Sequence, residues 1–538
     1  MTELDRDFDK SVFEFICDQA AANPAEASLL GLTDWDGQLA DMSAEAIQAR
    51  QAADQHWLIR FQGFEAAQLS GGRPIDLELV VSRLSARVAN ADFEVWRQTP
   101  APYIENGVFH LFVHRARVEA DAVDAAISRL QQVPAKLDAA RRNIDAAIAH
   151  PDILRRDVVT VRGQAKFLRG DVGAFVSDDG FRASLLQAAA PVAVAYDELA
   201  QEVEQLAERA TGTFVFGERR YNTELQVAEQ LSYDVHTLRE MGQTEFEGLD
   251  RQMAQVAKRL TGSPDWKQAV EELQEQHSSG LEGMLQNYRQ LLGRARQFVI
   301  DQDLMTVTAT EDCDVEPAPA FSRAIAVASY FEAAPFISGT RGTFNVPYTQ
   351  DGATERDIEE RLRANAPFEN ASTTVHEAYP GHHVHFVHMA NAGALRQFLT
   401  STFFVEGWAL YTEKMMYEQG FFESDAEILG FMAARIMRAG RIVVDTGLHL
   451  GEMSIAQAQT FMHERVGLPD SVAKAEALRY AAWPTQASAY LTGALAIEAM
   501  AKQWTGSGRG GLKQFHDALT DTGALPPGLA AQALGLSA

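Results

Sequence analysis

The chain has 538 residues, 46% of them hydrophobic, so it can bury a large core and global disorder is excluded. Its formal net charge is -27, which makes nucleic acid a poor partner, because phosphate binding needs clustered positive surface. Two distant cysteines, Cys17 and Cys313, exclude a disulfide framework, and no segment reaches the ~18 uninterrupted apolar residues of a membrane span.

The chain begins Met-Thr-Glu-Leu-Asp-Arg-Asp, acidic where a secretory signal would be basic, so the cytoplasm is the default location. Helical period dominates from there on. Residues 111–150 are rich in Ala, Arg, Glu and Leu, with Pro134 expected to divide them into two helices. Residues 191–211, 232–260, 425–453 and 454–466 carry the same pattern. Thr261-Gly-Ser-Pro and Gly467-Leu-Pro-Asp read as breaks between helices. Strand patterning is confined to three short runs, 304–309, 324–331 and the Gly342-Thr-Phe-Asn-Val-Pro segment. They predict a small sheet next to a metal-binding helix, whose edge could hold an extended peptide; core strands without a substrate role fit equally well. A soft boundary near residue 300 separates an N-terminal helical part, 1–300, from a C-terminal part, 301–538, that carries the chemistry. Two lobes of one folding unit fit as well.

The informative segment is Thr374-Val-His-Glu-Ala-Tyr-Pro-Gly-His-His-Val-His-Phe. In the usual HExxH helix, two histidines at i and i+4 bind Zn²⁺ and the glutamate is the general base. Here position 380 is proline, and the next candidates are His382 at i+6 and His383 at i+7. On an ideal helix neither would meet His376 at one ion. Pro380 and Gly381 supply a distortion, and a two-residue bulge would place His382 where i+4 normally stands. His382 is therefore preferred over His383. Glu406, in Phe404-Val-Glu-Gly-Trp-Ala-Leu-Tyr, is the expected third ligand. Glu413, seven residues on, returns to the same face and either supports a ligand histidine or lies on a solvated helix face, the plainer reading.

Zinc in such a site acidifies water and polarises a carbonyl, with Glu377 moving the proton to the leaving amine. Oxyanion donors are sought further along. Arg441, Asp445 and His449 share a helix face, and Tyr480 and Tyr490 offer hydroxyls. Buried structural networks of Arg, Asp and Tyr would leave the same trace. Arg341, Arg441 or Arg479 could hold a terminal carboxylate.

The chain resembles the bacterial domain of unknown function 885 family. The resemblance rests on His-Glu-Ala-Tyr-Pro-Gly-His-His at 376–383, Glu-Gly-Trp-Ala-Leu-Tyr at 406–411, Arg441…Asp445-Thr-Gly-Leu-His449, and Arg479-Tyr480…Tyr490…Gly493. It covers nearly the full chain. The family is regarded as zincin-like and mostly α-helical, distantly similar to metallopeptidases of the thimet oligopeptidase and Taq carboxypeptidase type. The resemblance implies a mainly α, two-lobed fold around a channel. It also implies His376, His382 and Glu406 as metal ligands, Glu377 as base and Tyr480 or Tyr490 as oxyanion donors.

The expected function is a cytoplasmic zinc metallopeptidase for short peptides, with carboxypeptidase or dipeptidase character, one zinc ion, and neither nucleic acid nor membrane as partner. The competing expectations are a zinc hydrolase of a non-peptide amide or ester, and an inactive helical binding protein on the same scaffold.

Overall fold

The structure, a computed structural model, describes all residues except 114–116, 309–312, 320–322, 324–327, 338–340, 351 and 538. Contacts divide the chain into two units, Met1–Phe216 with Ala334–Thr340, and Gly217–Ala333 with Arg341–Ala538. The helices before residue 300 that follow Gly217 thus group with the second unit, whereas the sequence pattern put its soft boundary near 300. Both units are built mainly of helices, and none among the described residues is long and apolar enough to cross a membrane.

The longer helices of the first unit are α1 (Glu3–Ala22), α2 (Ala44–Gln62), α3 (Arg73–Asn90), α4 (Glu119–Asn143), α5 (Pro151–Arg169) and α6 (Asp179–Arg209). Its main core lies between α4, α5 and α6, where Leu130, Leu137, Leu154, Val161, Leu185 and Tyr196 are fully buried. Pro134 does not divide its segment: α4 runs through it, and α6 runs through Pro191. An internal proline costs about 3 kcal/mol. Leu130, Val133 and Leu137 are fully buried around Pro134, and burying such side chains returns roughly 1.5–3 kcal/mol each, enough to carry the helix across.

The second unit holds α7 (Val235–Thr261), α8 (Gly280–Asp301), β1 (Asp314–Pro317), β2 (Ser329–Phe331) and β3 (Thr343–Val346). It continues with α9 (Pro367–Glu377), α10 (His382–Met389), α11 (Thr402–Glu418), α12 (Asp425–His449), α13 (Asp470–Ala482), α14 (Gln486–Gly506) and α15 (Leu512–Thr520). Asp234 caps α7 by accepting from Thr237 N–H, and Gly262, at φ 82°, closes it. α7 then lies directly on α12: a Cβ at Gly242 would come within 2.5 Å of Ile442 Cγ2. That contact explains why 235–261 belongs with this unit. From Ala439 to His449 every residue of α12 is buried, so this helix forms the centre, against which α7, α9 and α14 pack.

The sheet has the order β1-β3-β2, with β1 parallel and β2 antiparallel to β3. Val315 and Tyr330 both stand opposite the fully buried Phe344. The first strand is 314–317, not the 304–309 run. Of that run, 309 lies outside the described residues, and 304–308 is irregular. Its apolar residues Leu304 and Met305 are buried, and Thr306 is tied to Asp517 on α15, N–H to Oδ1 at 2.8 Å. The expected second run survives as β2, 329–331; residue 328 is irregular, and 324–327 lie outside the described residues.

Candidate metal centre

α9 stops at Glu377, and the chain resumes as α10 at His382. The Gly381 N–H donates to the Val375 carbonyl at 3.0 Å, a reach of six residues where a helix spans four. The expected two-residue excess is therefore a break between two helices, not a bulge inside one. Gly381 folds back onto the last turn of α9. A Cβ there would lie 1.9 Å from the His376 carbonyl oxygen, so only glycine fits. Trp408 of α11 holds the break, its indole N–H shared between the carbonyls of Pro380, at 2.9 Å, and Gly381, at 3.2 Å. His382 thereby comes beside His376, ring centroids 4.8 Å apart and planes 88° to each other.

Glu406, also on α11, completes the group. Its Oε2 lies 3.5 Å from Nε2 of both His376 and His382, and the three donor atoms are within 4.8 Å of one another. Arms of ~2.0–2.1 Å in a tetrahedral site put neighbouring donors roughly 3.3–3.4 Å apart; the two 3.5 Å separations from Glu406 match that, and with no pair beyond 4.8 Å a small approach of the two histidines would let the group hold a zinc ion. His383 points elsewhere. Its Nδ1 faces the Tyr330 hydroxyl at 3.1 Å.

Glu413 is not on a solvated face. It is 1% exposed, and its Oε1 lies 2.8 Å from His376 Nδ1, while Ser372 donates to its other oxygen. A proton on Nδ1 given to Glu413 leaves Nε2 with its lone pair directed at Glu406 and His382, as a metal ligand needs. Burial works against charge on His376, yet hydrogen bonds with Glu406 and Glu413 and the charge of Glu377 push it up to about 10. Burial likewise opposes charge on Glu406, but His376 and His382 hold it well below the usual carboxylate range. Three carboxylates around two imidazoles make this a pocket for positive charge. Glu377 is shifted the other way. Burial raises it, against the pull of His376 and His382, and the Tyr330 backbone N–H also reaches its carboxylate.

The tyrosines separate. α11 and α14 cross at a glycine pair: a Cβ on Gly493 would lie 1.7 Å from the Phe403 carbonyl oxygen, and one on Gly407 2.6 Å from Gly493 Cα. This close crossing brings Tyr490, one turn before Gly493, toward Glu406, which precedes Gly407. Burial and the Glu406 charge push the Tyr490 hydroxyl up, and Arg441, Arg438 and Arg479 pull it down. Tyr480 is fully buried and committed. It donates to Glu476 and accepts from Arg441 Nε at 3.0 Å. Burial raises its hydroxyl above the normal tyrosine range.

Arg441 and Arg479 both bond Glu476, with Nη2 to Oε2 distances of 3.1 and 2.9 Å, and Arg479 also donates to Gln486. Arg341 is exposed just before β3. Its neighbour Gly342 faces the Tyr330 hydroxyl so closely that a Cβ would overlap it. His449 belongs to a different cluster. It is fully buried, with Nε2 3.0 Å from the Tyr480 carbonyl and 3.7 Å from Asp445, and Asp445 accepts from Tyr221. Its ring thus meets the Tyr480 carbonyl and Asp445, which is the position of a support for α13. Sequence reasoning missed Arg438, whose guanidinium carbon sits 6.0 Å from the Tyr490 ring centre, and the clamp made by Trp408. An arginine three residues before Arg441 was the available signal for the first.

Two solved structures share this fold. One, a candidate lipoprotein of unknown function from Shewanella oneidensis, is 20% identical with a TM-score of 0.81, covering 98% of this chain and 99% of its own. The other, a candidate lipoprotein from Colwellia psychrerythraea, is 19% identical with a TM-score of 0.81 and 99% coverage of both chains. At such identity the likeness concerns the fold alone. No curated protein matches the chain. The model of a family of bacterial proteins of unknown function, DUF885, matches residues 24–534, and the chain belongs to that family.

Proposed function

We propose that the protein is a zinc-dependent hydrolase of short peptides. The observation that carries this reading is the convergence of His376, His382 and Glu406, with Glu377 adjacent in sequence, half-buried and close enough to feel their charges. Zinc held by the three donors supplies Lewis-acid polarisation of a carbonyl and acidification of water. Glu377 takes a proton from the attacking water, whose oxygen bonds the carbonyl carbon. The Tyr490 hydroxyl, close enough to feel the Glu406 charge, donates to the developing oxyanion. Glu377 then delivers its proton to the amine as the C–N bond breaks. Glu413 holds His376 in the required tautomer throughout. β2 lies at an edge of the described sheet, with its Tyr330 N–H at Glu377, a placement that suits an extended main chain beside the base.

The test is turnover of a short-peptide library by the zinc-loaded protein and by Glu377→Gln, read by mass spectrometry. The variant is expected to keep its zinc and lose about 10²–10⁴-fold in rate. Cleavage of esters or other amides but no peptide would instead support a non-peptide hydrolase. No cleavage of any kind would leave a binding scaffold. The cytoplasm is kept as the proposed location because both cysteines are free, while the description of the two neighbours as lipoproteins points outward. Cell fractionation decides between these.

A further inference from the structure

Three arginines surround Tyr490, and two of them are already committed. Arg441 gives Nε to the Tyr480 hydroxyl and Nη2 to Glu476. Arg479 gives Nε and Nη2 to Glu476 and Nη1 to Gln486. Arg438 differs. Its only hydrogen bond among the described residues runs from Nη1 to the Ala434 carbonyl of its own helix, at 3.0 Å, and its Nε is buried without a partner. It has no ion pair among the described residues. Nη2 makes no hydrogen bond within the described protein either, so the Nε–Nη2 edge of this half-buried residue has no protein partner, and such an edge matches a carboxylate through two parallel hydrogen bonds.

Tyr490 ties it to the metal centre, because the ring that Arg438 flanks also senses the charge of Glu406. The guanidinium carbon of Arg438 lies 6.0 Å from the Tyr490 ring centre, and that of Arg441 5.0 Å from it on the same helix. The charge of Arg438 is also felt at Glu413, which holds His376. Around Tyr490 three guanidiniums meet the charge of Glu406, and two of them, Arg441 and Arg479, are paired with Glu476. The carboxylates Glu377, Glu406 and Glu413 already answer the metal. A buried donor left without a partner is costly, so a ligand oxygen that accepts from Nε removes that cost.

We propose that Arg438 receives a carboxylate of the substrate, so that the preferred substrates are short peptides with a free C-terminal carboxylate close to the bond that is cut. This rests on the peptidase reading and names its substrate class. Of the arginines singled out from sequence, Arg441 and Arg479 position Tyr480 and Glu476 instead.

The test separates binding from turnover. Acetyl-trialanine with a free carboxylate and the same peptide as its C-terminal amide are titrated calorimetrically into zinc-loaded Glu377→Gln protein. The free acid is expected to bind at least about 10-fold more tightly than the amide. In Glu377→Gln/Arg438→Gln this preference is expected to fall to within about 2-fold, with zinc content unchanged. Arg438→Lys in the same background keeps the charge and the packing on Tyr490 but not the paired geometry, and is expected to keep only part of the preference. Equal binding of the two peptides, binding of neither, or a preference that survives both substitutions would overturn the proposal. So would loss of zinc along with the preference, since Arg438 would then serve Glu413. Failure of the peptidase reading would be seen separately, as absence of turnover of both peptides by the unsubstituted protein.

Discussion

A hydroxyl has one proton to give, and that limit separates the two candidate tyrosines. Tyr480 gives its proton to Glu476, whereas the Tyr490 hydroxyl makes no hydrogen bond among the described residues and senses the charge of Glu406. Tyr490→Phe is therefore expected to lower kcat by about 10²-fold with little change in KM, the signature of a donor used only in the transition state. Tyr480→Phe should cost much less. Steady-state kinetics check both, and a silent Tyr490→Phe beside a crippled Tyr480→Phe would reverse the assignment. Glu369, in the first turn of α9, gives a prediction about pH. Burial pushes its carboxyl up to about 7, against a hydrogen bond from Gln274. The folded chain thus holds this proton more tightly than the unfolded chain. The contribution to stability is complete below the ordinary value of 4.5 and is lost as pH rises through about 7. Glu369→Gln should raise Tm by about one or two degrees at roughly pH 8 and leave it unchanged at roughly pH 4. An equal gain at both pH values would mean that the charge of Glu369 is not what costs stability.

At the scale of elements, the centre depends on two close approaches. The break between α9 and α10 is fixed by Gly381 and Trp408, and the crossing of α11 on α14 is fixed by Gly407 and Gly493. Trp408→Phe keeps an aromatic ring in the core but removes the N–H shared by the Pro380 and Gly381 carbonyls. It is expected to weaken zinc binding by about 10-fold, measured by competition with a chelator, because the peptide before His382 loses its tether. Unchanged affinity would show that Gly381 alone shapes the break. The elements also show what the sequence could and could not tell. The His376–His382 excess of two residues was readable, because the metal demands that both rings meet and Pro380-Gly381 is the place where a helix yields. The helices were readable from their period. Pro134 misled because the buried Leu130, Val133 and Leu137 outweigh a lost hydrogen bond, and that burial is set by α5 and α6. β1 was missed because Asp-Val-Glu-Pro offers a single buried apolar residue, Val315, and owes its strand to pairing with β3.

Across the whole molecule, the readable parts are those whose chemistry is fixed by residue type, and the unreadable ones depend on which helix faces converge. Glu413 looks like any surface glutamate until α9 covers it and His376 claims it. His449 and Arg441 look like catalytic groups until α13 closes over them and binds both. The spacing of Arg438 three residues before Arg441 puts it on the same helix face but does not single it out, because what distinguishes it is the absence of an ion-pair partner among its described neighbours. The division after Phe216 was hidden for the same reason, since α7 and α8 resemble the helices before them and differ only in what they pack against. The acidic surface implied by a net charge of -27 sets no function by itself. Function rests on whether His376, His382 and Glu406 hold a metal. The measurement that decides it is zinc per chain, by plasma mass spectrometry after supply of zinc, on the unsubstituted protein and on His376→Ala, His382→Ala and His383→Ala. The expected result is about one zinc in the unsubstituted protein and in His383→Ala, and loss in the other two. No zinc in the unsubstituted protein, or zinc lost with His383 and kept without His382, would contradict it.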